Sequence, residues 1–214
     1  MQYAQYWPEF LTMAFAHLIA VASPGPDFAI VMKHSISYGK RIAIITSAGV
    51  GAAIFLHVAY ALAGIGLIVK SSPLLYQGLI VVASAFLLYL GYGAVKAKPS
   101  GELEPEAMVT AKTISDKKAF TLGFLTNGLN PKATIFFLSL FTVIVDVNTP
   151  FVVKGIFGVY LAIATFLWFL FLSLILTKPQ VRQVFSRNGY LFDRVMGWVL
   201  ILLALNILVS EFIL

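Results

Sequence analysis

Long apolar stretches separated by short polar ones set the first expectation for this chain. Six of them, at about 10–32, 42–69, 74–95, 119–145, 155–177 and 195–213, are each long enough to cross a hydrocarbon core of about 30 Å, which takes roughly 20 helical residues. The second and fourth exceed what a perpendicular helix needs, so each is expected to tilt or break. The pattern predicts an all-α integral membrane protein with six transmembrane helices. Two of the stretches carry polar interruptions that lipid does not tolerate: SPGPDF at 23–28 in the first, and NPK at 130–132 in the fourth.

Composition supports the class. Of 214 residues, 60% are apolar and only 11% charged, and the mean hydropathy is +0.92, too apolar for a soluble core of this size. With no cysteine, the chain can hold no disulfide, thiolate metal site or dithiol relay. The formal charge of +6 does not predict nucleic-acid binding, because the basic residues sit between apolar stretches rather than on one basic face. No Lys or Arg precedes the first apolar stretch, and Pro24 follows the faint cleavage pattern at 20–23, so the stretch is expected to be retained.

The basic residues instead set orientation. Lys33, Lys40 and Arg41, then Lys96, Lys98, Lys112, Lys117 and Lys118, then Lys178, Arg182, Arg187 and Arg194 place twelve of the fifteen on one face. Lys70 and Lys154 lie on the other, and Lys132 lies within the fourth stretch. The positive-inside rule makes the basic loops cytoplasmic, which puts both termini outside. The polar segment 99–116 is the one linker. It divides the chain into 1–98 and 117–214, each with three stretches, and the odd number of spans before it inverts the second half relative to the first: two inverted three-helix repeats.

Both halves break in their first stretch. Pro24 and Pro26 flank Gly25, and Pro131 follows Asn130, so helices 1 and 4 are expected to stop at Pro24–Pro26 and at Pro131 and restart beside Asp27 and Lys132. Paired interruptions in the two halves of a membrane chain point to a transporter's binding site. Restarted helices present free N–H groups and positive dipole ends, which suit a carboxylate. Asp27 can take an ammonium group or a proton, while Lys132, Asn127 and Asn130 can donate to an anionic oxygen. These residues describe a receptor for a zwitterion; the simpler alternative is a structural ion pair between Asp27 and Lys132. Asp27 is the first candidate for proton coupling. His17 and His57, also within apolar stretches, are further candidates against the commoner role of packed, hydrogen-bonded histidines, and His34 beside Lys33 is expected at the interface. The glycines at 49, 51, 64, 66, 91 and 93 are expected to let helices pack closely. Trp7, Tyr76, Trp168 and Trp198 fit interfacial anchoring or core packing, and nothing in the chain predicts a cofactor.

The segments SPGPDFAIVMKHSISYGKR, GVGAAIFLHVAYALAGIG and FTLGFLTNGLNPKATIFFLSLF resemble, in order and spacing, the LysE/RhtB family of bacterial amino-acid exporters. The resemblance covers nearly the whole chain to Phe141 and weakens beyond it. It implies six segments in the inner membrane and secondary active export of amino acids or close derivatives by alternating access, driven by a proton or other ion gradient. The wording is nearer the threonine and homoserine branch than the lysine branch. By motif, Pro24, Gly25, Pro26 and Asp27 match its first element, and Asn127, Asn130, Pro131 and Lys132 its second. The expected partners are a small amino acid, a coupling ion and the bilayer, with a homo-oligomer left open.

Rival classes fare less well. A cytochrome-biogenesis type thiol carrier needs paired cysteines. A cation or metal-ion exporter could use Asp27, but no second carboxylate lies in the apolar cores and Lys132 would repel the ion. An intramembrane protease could use Ser23 or Ser35, yet Pro24 denies Ser23 a following N–H for an oxyanion hole and no HExxH occurs, so no enzymatic activity is expected.

Overall fold

The computed structural model describes residues 4–23, 25–71, 73–98, 114–176 and 178–212, and all regular structure among them is helical. After a 3-10 turn at Ala4–Tyr6 come α1 (Trp7–Ala22), α2 (Pro26–Ser37), α3 (Lys40–Ser71), α4 (Pro73–Val95), α5 (Asp116–Gly128), α6 (Pro131–Val143), α7 (Phe151–Ile175) and α8 (Pro179–Phe212). Pro24 and most of the linker, 99–113, lie outside the described residues.

The first predicted stretch is two helices, α1 and α2, bent by 53° at the break. Proline explains where α2 starts: at the first helical position its missing N–H costs nothing and its φ is already helical, with Gly25 extended before it. The fourth stretch divides the same way. α5 ends at Gly128, and Pro131 opens α6 behind Asn130, whose side-chain oxygen accepts from the Lys132 backbone N–H at 3.0 Å. Gly39, at φ 81°, makes the tight turn from α2 into α3 that a side chain would resist.

The second stretch, which carries no obvious break in its sequence, forms a single helix, Lys40–Ser71. Two boundaries differ from the sequence expectation. The fifth begins at Phe151, because Pro150 supplies its N-cap position. The sixth starts sixteen residues early: α8 opens at Pro179 and carries through the basic segment expected as a loop, since that segment has no second proline to stop it. By length and composition, Lys40–Gly64 and Phe151–Ile175 can each cross a membrane, and the bent α1–α2 pair can form a third span. α5 and α6, at 13 residues each, are each about 20 Å long and too short alone.

Helix packing relies on missing side chains at three seams. A methyl on Gly49 would strike the Phe120 carbonyl, and one on Gly123 would strike the Thr46 carbonyl, so α3 and α5 touch backbone to backbone. Gly51 of α3 faces Ala162 and Phe166 of α7, and Gly158 of α7 faces Val58 of α3. A methyl on Gly91 of α4 would lie 2.7 Å from the Gly197 carbonyl oxygen of α8, and one on Gly197 2.6 Å from that of Gly91. By contrast a methyl on Gly64 or Gly93, also expected to pack, would find nothing within 4 Å among the described residues. Outward faces carry exposed Phe15, Phe55, Phe171 and Leu202, as a surface made for lipid should. Trp7 and Trp198 are exposed among them.

Candidate functional site

A cavity of about 80 Å³ opens where the two helix breaks meet. Ser23, Gly25, Pro26 and Asp27 reach it from the first break, and Asn127, Asn130 and Lys132 from the second, although about a hundred residues separate them along the chain. α7 closes it with Thr165 and Phe169, α8 with Leu200 and α3 with Ile54. At roughly 15 Å³ per water position, the space suits a few waters or a molecule with the bulk of a small amino acid.

Asp27 holds the polar end. Its Oδ2 accepts a 2.9 Å bond from the side-chain amide of Asn127, and its Oδ1 is buried with no partner among the described residues. Lys132 lines the same cavity but forms no ion pair with Asp27: among the described residues the salt bridge is that of Arg41 with Asp116, on the exposed ends of α3 and α5. The structural ion pair considered from sequence is therefore not formed. Asn127 departs from its expected role too, since its amide is committed to Asp27 and its oxygens to a histidine, which makes it a positioning residue.

That histidine is His57. Its Nε2 lies 3.1 Å from both the backbone and the side-chain oxygen of Asn127, so two acceptors require Nε2 to carry hydrogen. Its Nδ1 is 3.3 Å from the Thr134 hydroxyl, which also lies 3.2 Å from the Asn130 carbonyl. The hydroxyl has one hydrogen and cannot serve both: with neutral His57 it donates to Nδ1, and with protonated His57 the ring donates to it and the hydrogen goes to Asn130. One chain of contacts thus runs from Asp27 through Asn127, His57 and Thr134 to Asn130, joining the two breaks. His57 itself lies behind the cavity wall, against Phe137 at 5.5 Å between ring centroids.

His17 does line the cavity, with its Nε2 at 2.9 Å from the Thr165 hydroxyl. His34, expected at the interface, lies in the last turn of α2 and is 3% exposed, and its Nδ1 lies 2.6 Å from the Thr46 hydroxyl, which already donates to Ile42. Nothing in the residue pattern singles out Thr134 or Thr165, because a threonine in an apolar helix ordinarily satisfies its hydroxyl on its own backbone. Asn127 was legible as a candidate, but not its partner.

The two N-termini at the cavity differ. α6 is capped by Asn130, whereas α2 has no side-chain cap and Gly25 carries none to offer. An anion entering here meets the end of α2, the end of α6 and Lys132; a cation meets Asp27.

Comparison with known proteins gives a consistent answer. The LysE type translocator family matches residues 18–211. The threonine efflux protein of Escherichia coli (strain K12) is 27% identical over 203 residues, which cover 94% of this chain and 98% of that protein. The threonine efflux protein of Salmonella typhi is equally similar, at 27% over 207 residues. The leucine efflux protein of Klebsiella pneumoniae is 29% identical over 172 residues, 77% of each chain. No solved structure matches.

Proposed function

The chain belongs to the LysE type translocator family, and on that premise we propose that it exports small amino acids from the cytoplasm across the inner membrane. It is a transporter and not an enzyme. The threonine and leucine efflux relatives set the expected substrates as neutral amino acids rather than lysine-like ones.

The observation that carries this reading is the meeting of both helix breaks at one cavity, with a carboxylate, an ammonium group and two helix N-termini on its wall. The substrate amine sits at Asp27, and its carboxylate at the restarted helices and Lys132, with Pro24, Gly25, Pro26, Asn130 and Pro131 shaping the breaks and Asn127 holding Asp27. A proton gradient drives export, with Asp27 the first candidate carrier and His17 and His57 the others.

In the same reading the chain crosses the membrane six times as two inverted repeats, 1–98 and 117–214, joined by a cytoplasmic linker, with both termini outside. The almost constant spacing between Pro26 and Pro131, Gly51 and Gly158, and Gly91 and Gly197 supports it. So does the packing of α3 on α7 and of α4 on α8, in which each helix meets the one at the matching place in the other half. Rocking of the halves gives alternating access.

Purified protein in liposomes loaded with labelled amino acids tests the function. Efflux of neutral amino acids that rises with an imposed pH gradient is expected; absence of flux for every amino acid overturns the reading. A reporter fused to the C-terminus that proves cytoplasmic overturns the six-span topology alone.

A further inference from the structure

We infer that His17 and Thr165 form a side-chain subsite in the cavity that selects amino acids bearing a hydroxyl. The inference rests on the export reading above and adds the residues that choose among substrates.

Both residues line the cavity and both are buried, His17 at 2% and Thr165 at 1% exposure. They come from different helices, α1 and α7, and join through the 2.9 Å contact between His17 Nε2 and the Thr165 hydroxyl. The other ring nitrogen, Nδ1, is buried and has no partner among the described residues. Buried polar atoms are nearly always satisfied, so an unmet nitrogen on a residue that lines the cavity is open to a group that enters it. None of the described residues bonds to that nitrogen, and Phe137 packs on the His17 ring at 5.9 Å between centroids.

The tautomer does not rescue the nitrogen. If Nε2–H donates to Thr165, Nδ1 is a bare acceptor; if the Thr165 hydroxyl donates to Nε2, Nδ1–H is an unmet donor. A hydroxyl both donates and accepts, so a substrate hydroxyl satisfies either state, and an aliphatic side chain satisfies neither. His17 and Thr165 stand on α1 and α7, whereas Asp27 and Lys132 stand at the starts of α2 and α6. Asp27, Lys132 and the helix ends meet the amine and carboxylate common to all amino acids, while His17 and Thr165 meet the part that distinguishes them.

Threonine and valine are the probe, since they share a shape and differ by one hydroxyl. Labelled threonine and valine are compared in liposomes holding wild type, His17→Phe, Thr165→Val or Thr165→Ser. Wild type is expected to favour threonine, and His17→Phe and Thr165→Val to lower the threonine-to-valine ratio by roughly tenfold, the scale of one lost hydrogen bond at a buried group. Thr165→Ser, which keeps the hydroxyl, should retain the preference. A variant with no flux is read by equilibrium binding of the same two amino acids to the purified protein. An unchanged ratio overturns the subsite, and loss of gradient dependence at an unchanged ratio reassigns His17 to proton coupling. Wild type that transports and binds neither amino acid instead overturns the export reading.

Discussion

Asn127 donates its side-chain amide to Asp27 across the two halves of the chain, at 2.9 Å, and leaves the other carboxylate oxygen without a partner among the described residues. The bond fixes the carboxylate without neutralising it. An aspartate held by an amide can still meet a cation or a proton, whereas one paired with Lys132 would have its charge already balanced.

Replacing Asp27 by Asn is therefore expected to lower gradient-driven export by about tenfold to a hundredfold, the range for a lost hydrogen bond to a charged group. The fold should survive, because the amide is nearly isosteric. Flux in liposomes together with a melting curve in detergent separates the two effects. Export that stays gradient-driven and undiminished in Asp27→Asn contradicts the role given to this carboxylate.

Lys132→Gln should weaken substrates with a free carboxylate more than their amides, because only the former lose the charge attraction. Competition by an amino acid and by its amide against labelled threonine measures the difference. Equal losses for both would make Lys132 a structural lysine.

The proton on His57 can be read directly. Two oxygens of Asn127 converge on Nε2, so nitrogen-15 resonances of histidine-labelled protein should show a protonated Nε2 at this position. A bare Nε2 would mean that the contact with Asn127 is broken in the membrane.

Packing between α3 and α5 makes a stability prediction. Gly49→Val has to push the backbone of Phe120 and Phe124 away, with the Phe124 nitrogen only 2.8 Å from the added carbon, and should cost about 1–3 kcal/mol. Gly78→Ala, where nothing lies within 4 Å, should change stability little or raise it slightly through helix propensity. Thermal unfolding in one detergent compares the pair, and equal melting temperatures would exclude a tight α3–α5 seam.

These features were unequally legible in the sequence. Both helix breaks could be read from proline, because the loss of a backbone donor acts locally and needs no tertiary information. Asp27 and Lys132 stood out because apolar surroundings make charge conspicuous. The bonds from Asn127 to Asp27 and His57 span 100 and 70 positions, and no periodicity or spacing encodes which partner a buried amide will choose. The start of α8 was missed for another reason: the segment after Pro179 is amphipathic and basic, which reads as a loop when only apolar length is counted. Thr134 and Thr165 matter through what stands opposite them, which only the folded chain reveals.

The contact between Gly91 and Gly197 has a mechanical side. Two helices that already touch main chain to main chain can come no nearer, and drawing them apart would forfeit the contact with nothing to fill the gap. Swivelling about that point costs least. Any relative motion of α4 and α8 is therefore easiest as a rotation about this contact.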